Sequence, residues 1–364
     1  MNPEKQEENT FLFVGSYTDK KPGKGIKVFT FNHKTGEPSL TYEVENIINP
    51  SFLKIAPSGK YLYSVVESQM PHQGKIAAFE IDSTLGKLTL INIQDCGGRN
   101  PAHIEIDRMG EHLIASNYTD PSLSVFKIDS SGALNKFHQI FTFEGKGIIK
   151  ERQAKSHIHS SNFSPSGNSL FVQDLGSDKI YKFRVKKDEN NFLTLSKGDT
   201  ISIKEGSGPR HFTFHPNGHY GYGITEMSGD VLAFKNRNET LVLLDAYKAY
   251  EKNQEIYRSA DIHISPDGKF LYASNRGPQE NNIVIYSINQ KKGTLKLVGH
   301  QSTFGEHPRN FVIDTSGKFL LVSNQYSNNI IVFKRDIKTG MLQKLKNEIF
   351  VNNPSSLQMR KYKI

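Results

Sequence analysis

A single cysteine, Cys96, is present in 364 residues. No disulfide can form within the chain, and neither a cysteine-built zinc cluster nor an oxidising compartment is implied. Long apolar runs are missing too: none approaches the roughly 18 residues that a bilayer-spanning helix needs, and hydrophobic residues make up only 36% of the chain. That excludes an integral helical membrane protein. The opening MNPEKQEENT has neither the apolar core nor the basic flank of a secretory leader. It reads as a disordered tail over 1–10 ahead of a single domain over 11–364, and the expected compartment is the cytoplasm, although a leader removed beforehand would leave no trace here.

The net charge is +9, yet the lysines and arginines are scattered, often in turns such as SGK and DGK. No basic block or recognition helix gathers them, so a nucleic-acid partner is not expected, nor a membrane. A diffuse positive surface instead suits a small anion. GKGIIK lacks the GxxxxGK[ST] spacing of a phosphate-cradling loop.

What the chain does have is a repeat. NPSFLKIAPSGKYLYSVVE, HIHSSNFSPSGNSLFVQDL, GPRHFTFHPNGHYGYGITE and RSADIHISPDGKFLYASNR are one unit, with further copies from Asn100 and His307: a short alternating strand, a turn ending in Gly, then a more apolar strand. The turn glycines Gly59, Gly110, Gly167, Gly218, Gly268 and Gly317 are 51, 57, 51, 50 and 49 residues apart. Strand-rich repeats of that period signal an all-β propeller with four-stranded blades. The long interval is accounted for by GKGIIKERQAKS, residues 145–156, read as a loop over one face.

Six copies leave the chain ends over, and the ends fit each other. NPSSLQM from Asn353 matches the unit's first strand and FLFVGSYT from Phe11 its second. A seventh blade shared by both termini follows, which also covers edges that would otherwise stay open for pairing.

Eight residues before each turn glycine stand Ser51, Ala102, His159, Arg210, Ala260 and Arg309, with Ser355 as the terminal equivalent. Eight after stand Glu67, Tyr118, Leu175, Glu226, Arg276 and Gln325, with Tyr17 as the equivalent. Both positions lie at the end of the hairpin away from the turn, and a propeller's first strands line its central channel. One mouth of that channel therefore receives His159, Arg210, Glu226 and Arg276, with Arg309 and Glu67 farther round. A channel that needed only packing would hold small or apolar residues there. Taken alone, Arg210 and Glu226 are also compatible with a structural ion pair.

The ordered set FVGSYT, HSSNFSP, GPRHFTFHP, YGITE and YASNRG resembles the lactonase family of seven-bladed propellers, which includes propeller-type 6-phosphogluconolactonases and 3-carboxy-cis,cis-muconate lactonizing enzymes. The resemblance runs from about Phe11 to the C-terminus. It implies catalytic roles for His159, Arg210, Glu226 and Arg276. Around them Arg309, Glu67, Tyr17, Tyr118, His157 and His211 are the expected substrate contacts.

Lactone hydrolysis needs a base to activate water, which His159 or Glu226 could supply, and positive charge for the oxyanion, which Arg210 and Arg276 could supply. No cofactor or metal is required. His157 and His159 share a strand face two residues apart, but no Asp, Glu or Cys joins them in the motif. The expected activity is metal-independent hydrolysis of a sugar-acid lactone of the 6-phosphogluconolactone type by a monomer or weak homodimer. A carboxymuconate-type cyclase and a non-catalytic, ligand-binding propeller remain alternatives, since fold alone does not imply function.

Overall fold

The computed structural model describes residues 8–19, 23–67 and 71–363. Its 28 strands form seven four-stranded antiparallel sheets. The innermost strands are Pro354–Lys363, Leu53–Ile55, Pro101–Ile106, Ile158–Phe163, Pro209–Phe214, Ser259–Ile264 and Pro308–Ile313, and each touches the next until the last meets the first. This is the seven-bladed ring that the repeat predicts. Blades are numbered 1 to 7 below, starting from the one that holds both chain ends.

Each turn glycine holds a positive φ, from 68° at Gly317 to 83° at Gly167, where a side chain would strain the backbone. Burial falls from the axis outward. In blade 5 the second strand Tyr220–Thr225 is buried throughout, whereas the outermost strand Thr240–Lys248 is mostly exposed. The apolar residues gather in seven clusters, one between each pair of neighbouring blades; Tyr222 and Val231 of blade 5, for example, pack with Ile262 and Val284 of blade 6. The core is thus a ring of seams, and a polar channel is left at the centre.

Blade 1 closes the ring. Its innermost strand, Pro354–Lys363, runs antiparallel to Glu8–Ser16, with Phe11 opposite Arg360 and Val14 opposite Leu357. The expected tail over 1–10 needs correction at its end. Glu8, Asn9 and Thr10 are strand because Lys363, Tyr362 and Lys361 lie opposite them, and Lys361 pairs with Glu8 at 2.5 Å. Residues 1–7 lie outside the described residues. Among the described residues no helix is long and apolar enough to cross a membrane.

Candidate functional site

The side chains that face the channel mouth are aimed there by a repeated irregularity. In six blades the ladder between first and second strands shifts register at the residue eight before the turn glycine, or its terminal equivalent; in blade 6 Asp261 is passed over together with it. Pro209 pairs with Thr225 and His211 with Ile224, for instance, leaving Arg210 unpaired. The same bulge frees Ser355, Ala102, His159, Ala260 and Arg309. A bulge turns its extra residue out of the alternation, here toward the axis. The positions eight after the glycine close the hairpins: Tyr17, Tyr118, Glu226 and Arg276 donate N–H bonds to the carbonyls of Asn353, Asn100, Gly208 and Arg258 at 3.0, 2.9, 2.7 and 3.1 Å.

Together they wall a cavity of about 220 Å³. Eight of the ten residues expected from the sequence line it: Tyr17, Glu67, Tyr118, His159, Arg210, Glu226, Arg276 and Arg309. Asn100, Ala102 and Arg152 complete the wall.

Glu226 is the hub. Its Oε2 accepts from Arg210 Nε at 2.9 Å and Arg276 Nη2 at 3.0 Å, and its Oε1 accepts from Arg152 Nη2 at 2.5 Å. Burial favours the neutral acid, but Arg276, Arg210 and Arg152 outweigh it and hold the carboxyl far below the usual carboxylate range. Arg210, only 2% exposed, also donates to the Ala260 carbonyl at 2.5 Å and meets His211 Nε2 at 3.2 Å. Burial and the charge of Arg276, against the pull of Glu226, bring its guanidinium down to about 9, still cationic at neutral pH.

His159 is 6% exposed, and its side chain has no hydrogen-bond partner among the described residues, its Nδ1 being buried. Burial, then the charge of Arg210, hold its imidazole well below the ordinary value, so it is neutral at pH 7. Across the mouth, Ser51 Oγ donates to Glu67, and Arg309 Nη2 donates to the Tyr17 hydroxyl at 2.8 Å with its guanidinium 5.3 Å above the Tyr17 ring. Burial raises the Glu67 carboxyl and takes the Tyr17 phenol to about 12.

Two expected contacts are corrected. His157 precedes its strand and is not on the cavity wall: it stacks on the Tyr118 ring at 4.3 Å and donates from Nδ1 to the Tyr118 carbonyl at 2.9 Å. With that nitrogen committed and His159 displaced by its bulge, the shared strand face on which a histidine pair would depend is lost. His211 sits behind the wall. Its Nδ1 bonds Asp261 at 2.7 Å while its Nε2 faces Arg210, and its pKa falls to about 4, so it positions Arg210 as a neutral ring.

A model described as the lactonase, 7-bladed beta-propeller family matches residues 11–359. The chain belongs to that family. A 6-phosphogluconolactonase of Formosa agariphila is 63% identical over 351 residues, covering 96% of this chain and 99% of the relative. A candidate 6-phosphogluconolactonase of Bacteroides fragilis has a crystal structure that superposes with a TM-score of 0.92 at 37% identity, covering 99% of this chain and all of that one. The periplasmic gluconolactonase of Pseudomonas aeruginosa gives a TM-score of 0.90 at 29% identity over 97% of this chain and 99% of that one.

Two residues of this lactonase-family propeller escaped the sequence reasoning. His103 lies one residue past the Ala102 bulge, its ring 4.5 Å from Phe52 and 5.7 Å from His211; burial holds it neutral below the mouth. Its position in the repeat, equivalent to His211, was the available signal. Arg152 comes from the short helix Lys150–Gln153 in the segment read only as a loop. Buried Gln153 anchors this strap by donating to the Leu175 carbonyl at 2.9 Å. The return is possible because Gly176 has no side chain, a Cβ there lying 2.0 Å from the Lys155 carbonyl oxygen.

Proposed function

We propose that the protein hydrolyses 6-phosphogluconolactone to the open-chain acid at this cavity, with His159 as general base. One observation carries the assignment of roles: a neutral imidazole with no hydrogen-bond partner stands on the wall of a cavity dominated by arginine. Glu226, the other base considered, has both oxygens committed to three guanidinium groups, which suppresses its basicity; its role is to hold Arg210 and Arg276 in place.

Proton transfer from water to His159 lets the hydroxide oxygen bond to the lactone carbonyl carbon. The oxyanion that forms is stabilised by the fixed positive charge of Arg210 and Arg276. The bond from that carbon to the ring oxygen then breaks, and the imidazolium returns its proton to the departing oxygen. The free imidazole is a weak base because burial, and then the charge of Arg210, disfavour its charged form. A bound phosphate carries about −1.5 to −2 charge at pH 7 and shifts that balance toward imidazolium, so the substrate itself tunes the base. Arg309, Glu67 and Tyr17 bind sugar hydroxyls.

The single buried Cys96 suits a reducing cytoplasm. Acid release from 6-phosphogluconolactone, followed at constant pH, tests the reading. A protein-dependent rate above the spontaneous one is expected, and no increment at any protein concentration would overturn it.

A further inference from the structure

We propose that Arg152, carried over the mouth by the strap 145–156, reads the substrate's phosphate and sets the preference for a phosphorylated over an unphosphorylated lactone. The inference rests on the hydrolase reading above. Three arginines converge on Glu226, but they are not equivalent. The Arg210 and Arg276 side chains are 2% and 5% exposed, whereas that of Arg152 is 38% exposed. Arg276 is further tied to the Arg258 carbonyl at 3.1 Å and to His307 Nε2 at 3.1 Å. Arg152 is held by Glu226 through Nη2 and by the Tyr118 side chain, and stands at the rim.

Charge and shape both suit a phosphomonoester. Arg152, Arg210 and Arg276 against the single carboxylate Glu226 leave two positive charges, the complement of a phosphate's −1.5 to −2. A guanidinium fork binds phosphate through two parallel hydrogen bonds, which a lysine cannot reproduce. The same strap also carries exposed Lys146, Lys150 and Lys155. It lies outside the repeat and is not needed to close a blade, yet Gln153 and the bare backbone of Gly176 hold it down over the channel.

The test compares 6-phosphogluconolactone with glucono-δ-lactone in wild type, Arg152→Ala and Arg152→Lys, with inorganic phosphate as competitive inhibitor. In Arg152→Ala the ratio of kcat/KM for the phosphorylated over the plain lactone should fall about tenfold or more, as expected for loss of a charge-assisted hydrogen bond. The loss should lie mainly in KM, and phosphate inhibition should weaken in parallel. Arg152→Lys should recover part of the ratio. An equal loss on both lactones, or an unchanged ratio, overturns the role of Arg152 and leaves the hydrolase reading standing. Wild-type protein that accelerates neither lactone removes that reading and this inference with it.

Discussion

Glu226→Gln probes the charge cluster at its centre. The amide keeps the carboxylate's shape and packing, so the change is electrostatic. It removes the one negative charge shared by Arg152, Arg210 and Arg276, taking the cluster from two net positive charges to three. It also turns an NH2 group toward one of the arginines it replaced an acceptor for. Glu226 and Arg210 are nearly inaccessible to water, so solvent screening is slight, and breaking a buried pair of this kind costs about 3–5 kcal/mol. Urea unfolding at pH 7, with wild type and variant side by side, reads that loss as a lower midpoint at unchanged slope. The pH dependence has a fixed sign. A carboxyl held far below its unfolded pKa stabilises the fold fully above that unfolded value, near 4.3, and the contribution is lost as pH falls toward the folded one. The gap between wild type and variant therefore narrows on acidification below about pH 4.3. An unchanged midpoint at pH 7 would refute the hub.

Other expectations follow from the same geometry. Because burial and Arg210 hold His159 well below 6.5, kcat/KM for glucono-δ-lactone should stay flat from pH 6.5 upward into the neutral range and show its acid limb below that; a limb above 6.5 would contradict a neutral free imidazole. Deleting residues 353–364 removes the strand Pro354–Lys363 and bares the edge of Glu8–Ser16, so the truncated protein should aggregate or lose cooperative melting, and unchanged melting and solubility would contradict the shared blade. Exhaustive chelation should leave lactone turnover intact, and loss restored by a divalent ion would contradict metal-independent chemistry.

The repeat made most of the architecture legible, because a turn glycine at positive φ is demanded in each of six blades and its spacing survives changes everywhere else. The same spacing brought His159, Arg210, Glu226 and Arg276 to one mouth. It did so for a reason the residues alone did not reveal: six of the seven first strands carry a bulge at the critical position, and without it a one-residue shift would face these side chains the other way. The bulge in one case and the start of the strand in the other explain the two misplaced contacts. His211 follows the displaced Arg210 and falls behind the wall, and His157 precedes its strand and turns to Tyr118. Arg152 was out of reach because it belongs to an inserted strap, whose path over the channel depends on the anchoring of Gln153 and not on the period of the blades. His103 was readable from its place in the repeat, but only once the ring beneath the mouth was known to be polar.

The most direct test of the central claim is 6-phosphogluconolactone turnover by His159→Ala, measured beside its melting temperature. The His159 side chain has no hydrogen-bond partner among the described residues and leaves a buried Nδ1 unpaired, so the variant should melt close to wild type while kcat falls about 10²- to 10⁴-fold, as loss of a positioned general base does. Wild-type turnover by a folded His159→Ala protein would contradict the account.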